Sequence, residues 1–227
     1  MTPRVKICCI ASVEEAWTAI QYGASALGLV SEMPSGPGVI SEVLIRQIAA
    51  NIPPSVSSFL LTSKQDSRSI IAQHRRCGTS TIQIVDRLVS GTYQDLREAM
   101  PGIKLVQVIH VMGEEAVDEA LAVAPHVDAI LLDSGNQSLA VKELGGTGRA
   151  HDWKISRKIR ESIGKPLFLA GGLKPDNIDE AIEAVQPFGI DVCSGVRTDG
   201  NLDDKKLGAL FEQVRAVRWG SMPQGRL

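Results

Sequence analysis

Two reactive side chains close apolar runs in this chain: Cys8, after Val5-Lys6-Ile7, and Asp133, after Ala129-Ile130-Leu131-Leu132. A carboxyl group carried to the lip of a core by a buried strand is partly desolvated, which raises its pKa and suits it to general-acid work. A thiol needs the opposite help, because free cysteine titrates at about 8.5 and is mostly protonated at neutral pH. Strand alternation puts Lys6 on the face of Cys8, with Ile7 and Cys9 on the other, so an ammonium beneath the thiol would favour thiolate. Each residue also has a plainer explanation. Cys8 can be a buried structural thiol, and Asp133 can form a turn with Ser134-Gly135.

Glycines add a third feature. Gly171-Gly172 and Ser194-Gly195 follow two late apolar runs, and Gly145-Gly146-Thr147-Gly148 lies in the long connection before them. Such turns let backbone approach a ligand closely and aim N–H groups at an anion. One pair alone is an ordinary tight turn. His110 closes another apolar run, and His151 precedes Asp152-Trp153 as local structure. No two histidines have metal-ligand spacing and Cys8-Cys9 is not a CxxC pair, so no metal is expected. Cys8, Cys9, Cys77 and Cys193 are expected to be free thiols.

The elements that position these groups alternate. Strands are predicted over Val5–Cys9, Ala26–Val30, Val56–Leu61, Thr81–Val85, Lys104–His110, Ala129–Leu132, Leu167–Ala170 and Ile190–Cys193. Helices follow each, starting near Ser12, Ser41, Asp66, Thr92, Gly113, Asp152, Asp176 and Asp203, mostly at residues able to cap exposed N–H groups. Ile178, Ala181, Ile182 and Val185 share a helical face, as do Val117, Leu121 and Ala124. Eight such pairs suit an α/β single-domain (β/α)8 TIM barrel over residues 1–218, with 219–227 as a flexible tail. An open doubly wound sheet is the alternative, but Cys8-Cys9-Ile10-Ala11-Ser12 lacks the glycines of a dinucleotide fingerprint. In a barrel, function gathers at the C-terminal strand ends, where Cys8, Asp133 and the glycine turns fall, and the late turns take the usual phosphate position.

A chain with 44% hydrophobic and 22% charged residues and a mean hydropathy of +0.04 is an ordinary globular protein, not a disordered or multi-span membrane protein. Its 24 basic and 26 acidic residues leave a net charge of -2, too balanced for a general nucleic-acid or membrane binder, so a small-molecule partner is expected. A start without a secretory pattern places the protein in the cytoplasm by default. Monomer and homodimer are both open.

Val5-Lys6-Ile7-Cys8, Tyr22-Gly23-Ala24 with Ala26-Leu27-Gly28, Asp128 to Ser134, Gly145 to Gly148 with Asp152-Trp153, Leu169 to Leu173 and Gly189 to Val196 stand in an order that covers nearly the whole chain. Together they resemble the phosphoribosylanthranilate isomerase family. The resemblance implies a (β/α)8 fold and an Amadori rearrangement in tryptophan biosynthesis, without a cofactor. The substrate would be N-(5'-phosphoribosyl)anthranilate and the product 1-(2-carboxyphenylamino)-1-deoxyribulose 5-phosphate. It further implies that Cys8 removes the C2' proton as general base and that Asp133 protonates the ring oxygen as general acid. The phosphate would be held by Gly145, Gly146, Thr147, Gly171, Gly172, Ser194 and Gly195.

Three positions depart from the family pattern. Cys9 replaces a glycine, Gly36-Pro37-Gly38 stands where Ser-Pro-Arg is usual, and Val85 replaces a histidine. The missing arginine helps hold the carboxylate-bearing ring, so Arg87 and His110 are expected to supply positive charge instead, and Arg87→Ala to raise KM. On these residues, a paralogue acting on another phosphorylated aminosugar and a noncatalytic sugar-phosphate binder also remain open.

Overall fold

The computed structural model describes residues 2–136, 139–145 and 151–217. Eight parallel strands form a closed barrel: β1 (Arg4–Ile7), β2 (Ala26–Val30), β3 (Ser57–Thr62), β4 (Thr81–Ile84), β5 (Lys104–His110), β6 (Ala129–Asp133), β7 (Leu167–Leu169) and β8 (Gly189–Val192). They pair in chain order, and β8 closes on β1 with Lys6 opposite Asp191. The helices are α1 (Val13–Tyr22), α2 (Glu42–Ala50), α3 (Ser67–Cys77), α4 (Tyr93–Ala99), α5 (Glu115–Val123), α6 (Trp153–Ser162), α7 (Ile178–Val185) and α8 (Asp204–Ala216).

Strands covered on both faces carry near-continuous apolar runs, and here the two parities feed two cores. Outward residues such as Ile7, Leu29, Leu60, Ile82, Leu132 and Ile190 pack under the helices. Inward residues such as Ala26, Phe59, Leu61, Val106, Leu131 and Phe168 fill the lumen, with Phe59 and Phe168 meeting edge to face at 6.0 Å. This inner layer is the floor on which the strand ends stand.

Most helix starts fall at the expected capping residues: Ser12, Ser41, Asp66, Thr92, Asp152 and Asp203 each accept a backbone N–H. The buried face of α7 is the expected one, Ile178, Ala181, Ile182 and Val185. That of α5 is not. Ala116 and Ala120 join Val117 on the buried side, one position round the helix from Leu121, which is 44% exposed.

A short hairpin, β9 (Arg197–Thr198) and β10 (Asn201–Leu202), was not expected between β8 and α8. Its Asp199-Gly200 turn, with φ of 50° and 80°, is a strong two-residue hairpin signal, but strands of two residues each carry no apolar run. No helix among the described residues is long and apolar enough to cross a membrane. The expected tail at 219–227 lies outside the described residues.

Candidate active site

The C-terminal strand ends surround a cleft of about 690 Å³, open solvent at its mouth included. Cys8 and Asp133 both line it. Gly171, Gly172 and Ser194 lie along the rim beyond β7 and β8, and Val30, Met33, Leu61, Val85 and Leu144 give the cleft an apolar wall. Gly171 and Gly172 have φ of 84° and 64°, a conformation that turns the backbone sharply beside the cleft and that a side chain would strain. The arrangement offers an apolar slot, a thiol and a carboxyl group, and a main-chain rim fit for an anion.

Lys6 is fully buried beneath Cys8, its Nζ 2.7 Å from Asp191 Oδ2. Burial pushes the lysine pKa down, but Asp191 and Cys8 together push it further up, so the ammonium stays charged. Burial dominates at the thiol and raises Cys8 to about 11, against the opposing pull of Lys6. The expected ammonium is therefore present, yet it only limits a rise that desolvation causes. Gly28 on β2 makes room for the pair. A Cβ there would lie 2.6 Å from Cys8 Sγ and 2.9 Å from Lys6 Nζ.

Asp133 is 8% exposed, and burial raises its pKa, opposed mainly by the Ser134 N–H donated to Oδ1 at 2.7 Å. Gly145, with φ of 125°, brings its backbone against the other oxygen, where a Cβ would lie 2.4 Å from Oδ2. Gly195 packs under the loop after β7, its Cβ direction blocked by the Leu173 carbonyl, and does not line the cleft. Gly146 and Thr147 lie outside the described residues.

Arg87 and His110 do not reach the cleft. Arg87 pairs with Glu119 of α5 at 2.9 Å on the outer surface, and His110 Nε2 shares a 2.9 Å hydrogen bond with the Val85 carbonyl. The expectation of free thiols holds for Cys8 and Cys77 and fails for Cys9 and Cys193, which form a disulfide with Cα atoms 6.0 Å apart. The cause is local. β1 ends at Ile7, and Cys9 takes a left-handed φ of 63°, so strand parity no longer governs it and both Cys8 and Cys9 line the cleft.

Two lining residues were missed. Asp191 Oδ1 and Gln83 Oε1 are buried acceptors with no hydrogen-bond partner among the described residues, open to O–H or N–H donors of a bound molecule. The signal was a polar residue at an inward position of an apolar strand, Gly189-Ile190-Asp191-Val192 and Thr81-Ile82-Gln83-Ile84.

A family model described as N-(5'phosphoribosyl)anthranilate (PRA) isomerase matches residues 5–213. The chain belongs to the phosphoribosylanthranilate isomerase family. N-(5'-phosphoribosyl)anthranilate isomerase 2 of Methanosarcina mazei is 34% identical over 203 residues, 89% of either chain. The phosphoribosylanthranilate isomerase of Methanocella arvoryzae is 33% identical over 95% of this chain and 99% of its own. Among solved structures, the isomerase of Thermotoga maritima superposes with a TM-score of 0.77 at 27% identity, covering 94% of this chain and 98% of that one. A phosphoribosyl anthranilate isomerase in complex with reduced 1-(o-carboxyphenylamino)-1-deoxyribulose 5-phosphate has a TM-score of 0.75 at 26% identity, with the same coverage.

Proposed function

We propose that the chain is an aldose–ketose isomerase that converts N-(5'-phosphoribosyl)anthranilate to 1-(2-carboxyphenylamino)-1-deoxyribulose 5-phosphate, the Amadori step of tryptophan biosynthesis. The observation that carries this reading is the sharing of one cleft by Cys8 and Asp133, in a chain of this family. The protonated Asp133 gives its proton to the ring oxygen, the C1'–O bond breaks and the anilino nitrogen supplies the electron pair, leaving an iminium. The Cys8 thiolate then takes the C2' proton, and the electrons of that C–H bond neutralise the iminium as an enaminol. Loss of the O2' proton and gain of one at C1' give the ketose, so the isomerisation needs no redox partner. The main-chain rim at Gly171, Gly172 and Ser194 anchors the phosphate, which turns binding into orientation of C2' toward the thiol.

The partner is thus a phosphorylated sugar derivative, and the compartment proposed is the cytoplasm. A disulfide is unusual there, which makes the pairing of Cys9 with Cys193 a direct check on the compartment. The deciding assay uses freshly generated N-(5'-phosphoribosyl)anthranilate with the parent protein, Cys8→Ser and Asp133→Asn. Turnover by the parent and its loss by at least about 100-fold in both variants is expected for general acid–base groups. A folded but inactive parent would overturn the substrate, and an active Cys8→Ser would overturn the base.

A further inference from the structure

The ligand of the solved relative bears a carboxylate on an aromatic ring, yet none of the described residues lining the cleft is Lys, Arg or His. A carboxylate entering beside the apolar wall of Val30, Met33, Leu61, Val85 and Leu144 loses water and must find a donor. Lys6 is consumed by Asp191 under the floor, Arg197 by Glu15 and the carbonyls of Cys8 and Cys9, and Arg87 by Glu119 outside.

Lys142 is placed differently. Its carbonyl accepts the Oγ–H of Ser35, a lining residue of the loop after β2, at 2.6 Å. Its ammonium reaches across to Asp86, directly after Val85, at 2.5 Å from Oδ2. Leu144 and Gly145, just beyond it, line the cleft. Lys142 itself does not line the cleft, but it bridges its rim between the loops after β2 and β4, among lining neighbours Ser35, Val85 and Leu144. Its side chain is 35% exposed, and an ammonium has three N–H donors, of which Asp86 occupies one. Asp86 is only 5% exposed, so it fixes a flexible four-carbon chain beside the cleft and leaves two of the three N–H donors uncommitted.

We propose that Lys142 is a specificity-determining residue that binds the ring carboxylate of the substrate, and that Asp86 positions it. The proposal rests on the function proposed above. Two substrates test it: N-(5'-phosphoribosyl)anthranilate, and the compound made with aniline, which lacks the carboxylate. Lys142→Met should raise KM for the anthranilate substrate about tenfold or more, with kcat changed far less, as loss of a charge-assisted hydrogen bond predicts. The aniline compound should feel the change much less, and Lys142→Arg should recover most of the lost affinity. Asp86→Asn should raise the anthranilate KM by a smaller factor, again with little effect on kcat. An unchanged KM in Lys142→Met, or equal rises for both substrates in a variant that melts like the parent, would overturn the assignment. The parent separates the two proposals: no turnover of the anthranilate substrate removes both, whereas an active parent with an indifferent Lys142→Met removes this one alone.

Discussion

At the level of single residues, the proposed base Cys8 and the proposed acid Asp133 are both raised by desolvation. A thiol at about 11 is almost wholly protonated at neutral pH, while burial lifts the Asp133 carboxyl above the ordinary carboxylate range. The competent form, thiolate with carboxylic acid, is then a minority whose fraction stays constant between the two pKa values. The expected kcat/KM profile is a plateau: it climbs with pH up to the Asp133 value and falls only above about 11, where Cys8 has titrated and Asp133 can no longer be reprotonated. An alkaline limb at about 8.5, the value of an ordinary thiol, would contradict this account. A second expectation at this scale reverses the one drawn from sequence. Because Arg87 is 65% exposed and pairs with Glu119, Arg87→Ala should leave KM within about twofold and cost under about 1 kcal/mol in urea unfolding.

At the level of elements, the barrel was legible because each strand announces itself twice, by an apolar run and by the capped helix after it. Ala26–Val30 and Lys104–His110 match to the residue. What could not be read was where backbone leaves the extended state. The left-handed turn at Cys9 changes which way its thiol points, and parity arguments stop at such a residue. Arg87 failed for a related reason: it lies three residues beyond the end of β4, where strand parity no longer fixes direction. The inward polar residues Gln83 and Asp191 were visible in principle, since a buried amide or carboxylate inside an apolar strand requires a partner. β2 contributes mainly by what it lacks. Gly28→Ala should force Cys8 and Lys6 apart, destabilise the barrel by about 1–3 kcal/mol and shift the alkaline limb of the pH profile. Unchanged stability with an unchanged limb would show that the neighbours yield freely.

At the level of the whole molecule, β1 and β8 form the seam where the barrel closes, and three links hold it near the cleft: the Lys6–Asp191 ion pair, the Cys9–Cys193 disulfide and the Arg197–Glu15 contacts. The disulfide spans 184 positions, so it restricts the unfolded chain strongly. Cys9→Ser should lower stability by about 2–4 kcal/mol in denaturant titrations without reductant. Denatured protein should show only Cys8 and Cys77 to a thiol reagent before reduction, and all four cysteines after it. Four reactive thiols before reduction would mean that the pair is open.

The ammonium below the reactive sulfur and the carboxylate that holds it come from positions 185 apart. A growing polypeptide that has emerged as far as β7 already owns Cys8 and Asp133, but it still lacks Asp191 and the Ser194 end of the proposed phosphate rim. If the proposed chemistry holds, turnover waits for the far end of the chain, and a product of translation truncated before β8 is expected to be inert however well its helices had formed.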